Sequence, residues 1–360
     1  MMKVWQQVKN LLYRYVPTHV DNPFKLVGRM IRSRNRAARF ALIVSALAIV
    51  CIPIDIVLSF FERKRLRAVG DAPPGNMIFV CGPARSGTTL VFQVLARHIP
   101  VSYVRNFTAI FPRSPTVVTS VVRRFSRDRE STDGFENYYG KTLGMHGPSE
   151  ANHLWNRWVE LDSNEWRTRL SRENARRCRQ FFAAFSKLDH RPLLCKNNNM
   201  NVYAEQVAEA IPNSIFICLR RDPPYLAQSL LQARREIIGN VDRGYGVQDV
   251  TSSEDAVVDP IESVCAQVKF LNHRANVAQQ AIGEERFWII DYESFCENPG
   301  VLIDRVARYF GTTSNENCGS IEPLENRNIV TNPDQMEKIR RCLKNLEDFP
   351  ESQQDEPKFG

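Results

Sequence analysis

A five-residue apolar segment, Met77 to Cys81, runs directly into Gly82-Pro83-Ala84-Arg85-Ser86-Gly87-Thr88-Thr89 and then into a helical pattern over 87–98. Strand, glycine-bounded turn and helix, in that order, aim backbone N–H groups and the positive end of a helix at an anion. The glycine spacing is that of a Walker A loop, GxxxxGK[ST], with Thr88 where the lysine stands. In such a loop that lysine serves β- and γ-phosphates beside a metal ion. A loop without it, carrying Arg85 three residues earlier, suits a ligand with one phosphate and a second, less charged group.

The pattern of strand, turn and helix recurs at Ile215-Phe216-Ile217-Cys218-Leu219-Arg220-Arg221-Asp222-Pro223-Pro224-Tyr225 and on to Ser229. Asp before Pro-Pro is a helix start. Arg221 falls at the strand end and Ser229 about two helical turns on, so a guanidinium fork and a hydroxyl can share a phosphate. Further apolar segments at 192–195 and 287–290 read as strands, and helical patterns fall at 171–187, 201–210, 224–237, 261–282 and 301–310. Strands alternating with helices predict an α/β fold of three layers around a central parallel sheet.

Charge and cysteine usage narrow the class. The formal net charge is +8, and residues 1–39 hold nine Lys/Arg against one acid, Asp21, which accounts for all of it. The excess adjoins Phe40–Phe61, a run of 22 residues with 14 Leu, Ile, Val or Phe and one charge, Asp55. A basic arm beside an apolar run points to a membrane surface rather than to nucleic acid. Length permits a span, Pro53 predicts a kink, and a helix lying in the interface or a core helix also fits. The nine cysteines are dispersed without CxxC spacing, which argues against a zinc ribbon or a disulfide framework. Division at Asp71-Ala72-Pro73-Pro74-Gly75 separates an N-terminal segment (1–70) from an α/β domain (71–315), followed by a C-terminal extension with a polar tail (316–360).

Together, GPARSGTTL and LRRDPPYLAQS resemble the sulfotransferase family, whose members use 3′-phosphoadenosine 5′-phosphosulfate as sulfonate donor. Ile290-Asp291-Tyr292-Glu293-Ser294-Phe295 with Asn298-Pro299 resembles a third family segment, so the likeness covers roughly 76–311. It implies a P-loop-like sulfotransferase fold. It implies that Arg85, Ser86, Gly87, Thr88 and Thr89 hold the 5′-phosphosulfate, and that Arg221 and Ser229 hold the 3′-phosphate. No metal is expected.

Arg85 and Lys196 are the candidate cations for the leaving group; Lys196 ends the 192–195 strand, where ligands sit in open α/β sheets. For the base, Pro148-Ser149-Glu150 opens a segment with Trp155 and Trp158, resembling a P-x-E…W segment of bacterial members, and singles out Glu150. His153 and His146 remain alternatives. The family's protein-tyrosine members carry a base carboxylate about 20 residues after the loop; Tyr103-Val104-Arg105-Asn106-Phe107 offers none here, which disfavours a peptide acceptor. Arg123, Arg124, Arg127 and Arg129 around Phe125 form either an anionic acceptor groove or a solvated helix face.

The expected function is sulfonate transfer to a hydroxyl or amine of a carbohydrate or lipid-like acceptor. A P-loop kinase or NTPase and a membrane-tethered nucleotide-binding protein without chemistry are the rivals. The short distance from Arg67 to Met77 favours a catalytic domain on the cytoplasmic face, with a Golgi-type lumenal domain as the other arrangement.

Overall fold

The computed structural model describes residues 23–125, 137–155, 157–158, 170–247, 259–312 and 321–347. Three helices come first: α1 (Pro23–Arg32), α2 (Arg36–Val50) and α3 (Ile52–Val69). Then follow β1 (Met77–Cys81), α4 (Thr88–His98), β2 (Ser102–Tyr103), a 3-10 turn (Asn106–Ile110) and α5 (Pro115–Phe125). A hairpin of β3 (Asn137–Tyr138) and β4 (Lys141–Thr142) precedes α6 (Asn152–Trp155), α7 (Arg172–Ser186), β5 (Leu193–Lys196) and α8 (Ala204–Ala210). The second half runs β6 (Ser214–Arg220), α9 (Pro223–Ala233), α10 (Pro260–Ile282), β7 (Phe287–Asp291), α11 (Tyr292–Glu297), α12 (Pro299–Phe310) and α13 (Pro333–Glu347).

Five strands make one parallel sheet in the order β2-β5-β1-β6-β7. The chain leaves β1 toward β2 and β5 on one side, then crosses to β6 and β7 on the other. The order therefore reverses at β1, where ligand crevices open in such sheets. All four strands expected from the apolar segments are present; β2 has two residues, too few for a pattern to show. Both faces are covered, so β1 is buried at every position and lacks polar alternation. Phe79, Phe216 and Phe287 are in register across β1, β6 and β7. Their rings stack at 5.2 and 5.9 Å between centroids. Ile78, Val80, Ile217 and Leu219 face the opposite layer, formed in part by α4 and α12.

The apolar run Phe40–Phe61 is not one helix. It breaks at Cys51, and α2 and α3 meet at 75°. Pro53 lies in the first turn of α3, where a missing N–H costs nothing. No single described helix is long and apolar enough to cross a membrane; the bent pair together meets that measure by length and composition. Asp55 is buried. Its carboxylate accepts from Arg113 N (3.0 Å) and Ser114 Oγ (2.6 Å). Two helical turns along, Glu62 accepts from Thr116 N, Thr116 Oγ1 and Val117 N at 3.2, 2.7 and 2.9 Å. Two carboxylates of α3 thus satisfy the otherwise unpaired donors at the start of α5.

The chain beyond the motif-bearing region also packs on the domain. Ile339 of α13 joins Leu226, Leu230 and Val264 of α9 and α10 in one apolar cluster. The stretch leading to it, 321–332, runs beside Arg221, which bonds Asn328 and the Arg327 carbonyl.

Candidate active site

The Gly82–Thr89 loop is held in a conformation few sequences tolerate. Gly82, Arg85 and Gly87 have φ of 126°, 74° and 96°. A Cβ on Gly82 would stand 2.5 Å from the Leu219 carbonyl, and one on Gly87 2.3 Å from the Tyr292 ring. Arg85 is the non-glycine residue in this strained region, and such strain persists where surrounding contacts enforce it. Ser86 Oγ is fully buried and has no hydrogen-bond partner among the described residues. An orphaned hydroxyl in a loop of this shape fits a bound phosphate oxygen. Thr88 Oγ1 donates to Asn198 Oδ1 at 2.9 Å, so Asn198 braces the loop.

The two anion motifs meet directly. Arg85 Nε donates to Ser229 Oγ at 3.1 Å, and Arg221 Nη1 donates to the Arg85 carbonyl at 2.9 Å. Of the paired arginines, Arg220 turns outward to Asp291 (2.9 Å) while Arg221 is buried. Arg221 also donates to Asn328 Oδ1 and the Arg327 carbonyl, at 2.8 and 2.7 Å, and lies over the Tyr292 ring. Burial shifts the Arg221 guanidinium down. Gln228, one residue before Ser229, bonds both Ile329 O and Thr331 N. The 321–332 stretch is thereby clasped to the site, a contribution no sequence motif announced.

Lys196 ends β5 beside Val80 of β1 and is almost fully buried. Its ammonium contacts the Glu150 carboxylate. Burial, with the nearby Arg85 charge adding, pulls Lys196 down to about 7; the Glu150 contact works in the opposite sense by favouring the charged form. The three residues singled out for chemistry therefore share one neighbourhood. A narrow cavity of about 10 Å³ opens between Glu150 and Lys196 and an apolar wall of Val104, Leu154, Trp155, Trp158 and Phe182. That space admits about one water molecule.

The β3–β4 hairpin supplies two residues that sequence reasoning missed. Its central residues, Tyr139 and Gly140, have φ of 47° and 88°, as a mirror-image two-residue hairpin requires. Arg85 lies over the Tyr139 ring at 4.6 Å, and Tyr139 Oη donates to Glu236 Oε2 at 2.5 Å. A Cβ on Gly140 would fall 2.1 Å from Glu150 Oε1. The one signal was a glycine after two tyrosines, too common to single out.

The alternative bases are placed differently. His153 is held neutral, down to about 3, by burial and the nearby Arg157 and Lys141 charges. His146 presents Nδ1 to Arg105 Nη1 at 3.2 Å. Arg123 pairs with Asp189 at 2.9 Å, and Phe125 is exposed; Arg127 and Arg129 lie outside the described residues.

A parallel sheet carries, joined at its carboxyl edge, a glycine loop and a buried arginine site, an arrangement suited to an anionic ligand. The sulfotransferase family model matches residues 77–316, more than half of the chain, and the chain belongs to that family of transferases. Among solved structures, sulfotransferase STF1 from Mycobacterium tuberculosis H37Rv is similar, with a TM-score of 0.51 and 14% identity over 89% of this chain and 90% of that one. Sulfotransferase STF9 from Mycobacterium avium aligns with a TM-score of 0.47 and 14% identity over 94% and 86% of the two chains. At that identity the STF1 likeness speaks to the fold. No curated protein sequence matches the chain.

Proposed function

We propose that the protein moves the sulfonate of 3′-phosphoadenosine 5′-phosphosulfate to a hydroxyl, or an amine, of a carbohydrate or lipid-like acceptor. The observation that carries this reading is the direct junction of the Gly82–Thr89 loop with Arg221 and Ser229. A nucleotide phosphorylated at both the 3′ and 5′ positions requires two anion sites on one edge. Arg85, Ser86, Gly87, Thr88 and Thr89 take the 5′ side; Arg221 and Ser229 take the 3′-phosphate.

In the transfer, Glu150 accepts the proton of the acceptor hydroxyl as its oxygen bonds to sulfur. The bond from sulfur to the bridging oxygen breaks, and its electron pair stays on the departing 5′-phosphate. Lys196 and Arg85 stabilise that charge from a largely dry site. Glu150 and Lys196 begin as an ion pair. Sulfonate oxygens compete for the ammonium, and a carboxylate freed from it is the stronger base. The apolar wall beside Glu150 supports an acceptor with a hydrophobic part.

The proposal extends to a membrane-associated enzyme, held by residues 1–67 with the catalytic domain on the cytoplasmic face. The test is incubation with the phosphosulfate donor and a panel of glycans and lipids, read by mass spectrometry for sulfonated product. Transfer of phosphate from ATP with magnesium, in place of sulfonate transfer, would overturn the reading in favour of a kinase.

A further inference from the structure

The N-terminal helices have their polarity turned inside out. On α3, Asp55, Ser59 and Glu62 form one stripe that is 0%, 6% and 2% exposed. On the opposite side Ile54, Val57, Phe60 and Phe61 are 55%, 57%, 62% and 59% exposed. α2 continues the apolar surface with Ile43, Leu47 and Val50 at 56%, 37% and 73%. A surface helix of a water-soluble domain shows the reverse arrangement. Contiguous exposed apolar surface of this kind marks a contact site.

The charges say what kind of contact. From Phe40 to Phe61 the sole charged residue is Asp55, which points inward. Exposed cations bracket the strip: Arg36 and Arg39 before it, and Arg63, Lys64 and Arg67 after it. An apolar strip with cations at both ends complements an acyl layer beneath anionic headgroups. A second copy is a poor complement, since either orientation of pairing sets basic ends against basic ends.

The inward stripe decides how deep the contact goes. Asp55 and Glu62 bond the start of α5, and Arg65 donates to Thr116 O and Ser120 Oγ at 2.8 and 3.1 Å. α3 is therefore fastened along its length to the catalytic domain, and α2 departs from it at 75°. We infer that the exposed strip of α2 and α3 docks the enzyme in the headgroup boundary of one anionic leaflet, without crossing it. The inference deepens the membrane part of the proposed function and is independent of the donor assignment.

The test is flotation of the full chain with vesicles of phosphatidylcholine containing phosphatidylglycerol, beside vesicles of phosphatidylcholine alone. Binding is expected to the anionic vesicles, to weaken at high salt, and to be released by alkaline carbonate. The double substitution Val57→Ser with Phe61→Ser should lower partitioning by about tenfold or more. Binding of 3′,5′-adenosine diphosphate by that variant monitors folding, and its failure in the wild-type chain would count against the donor assignment alone. Three outcomes overturn the inference: no flotation with anionic vesicles, resistance to carbonate as a spanning segment shows, or a dimer that the double substitution splits while vesicle binding is absent.

Discussion

Arg85 donates from Nε to Ser229 Oγ across 144 residues of sequence, at 3.1 Å. The contact makes one site of two motifs, and it gives Ser229 two tasks: orienting the loop arginine and, in the proposed complex, bonding the 3′-phosphate. Ser229→Ala should weaken binding of 3′,5′-adenosine diphosphate by about tenfold, the usual worth of one such hydrogen bond. Arg221→Ala removes a buried cation and the brace on the Arg85 carbonyl, and should weaken it by about a hundredfold or more. Calorimetric titration measures both; undiminished binding to the Arg221 variant would remove the 3′-phosphate assignment.

Glu150→Gln keeps the shape of the side chain and removes its basicity. Turnover is expected to fall by about a hundredfold or more, while the diphosphonucleoside product still binds. Equal turnover in this variant and the wild type would leave the base unassigned among the residues of this pocket.

The protonation of Lys196 sets an alkaline limit. Its folded value of about 7 lies below that of an unfolded lysine. Between about 7 and the ordinary lysine range the unfolded chain binds more protons, so this residue makes stability rise with pH there. Under the proposed mechanism activity runs the other way, because the leaving oxygen would draw on the ammonium. Accordingly kcat/KM should decline above about pH 7, and Lys196→Arg, which stays charged, should abolish that decline. A profile unchanged by the arginine substitution would show that another group titrates.

The hairpin tip touches both Arg85 and Glu150. Tyr139→Phe retains the ring over Arg85 and should stay close to wild type in kcat. Tyr139→Ala removes it and should lower kcat by about tenfold. Gly140→Ala forces a side chain into a positive-φ position against the Glu150 carboxylate, and should cost about 1–3 kcal/mol in stability and displace the base. Denaturant midpoints with single-turnover kinetics separate the two effects.

Glu62→Ala would leave Thr116 N and Val117 N buried at the start of α5 without acceptors. A loss of about 2–3 kcal/mol is expected, read as a lower midpoint in urea, with donor-product affinity little changed. An unaltered midpoint would mean that water replaces the carboxylate at no cost.

The first anion loop and the strands around it were legible because their causes are local. Met77–Cys81 is apolar throughout since helices cover both faces of the sheet, and Gly82 and Gly87 stand where a Cβ would strike Leu219 or Tyr292. The Arg221–Ser229 spacing was legible for the same reason, being set by one strand end and one helix. Which of Arg220 and Arg221 turns inward depended on β7, whose Asp291 takes Arg220.

From the sequence alone came the alternation of strands and helices, the two anion motifs, and the choice of Glu150 and Lys196 as candidate reacting groups. Tertiary structure alone decided that Lys196 meets Glu150, that Tyr139 covers Arg85, that 321–332 clasps Arg221, and that the charges of α3 face inward while its apolar side faces out. Local conformation follows from steric and hydrogen-bonding preferences spanning a few residues, so it is written in short windows of sequence. A contact between distant segments depends on how the whole chain closes on itself, and no window contains both of its partners.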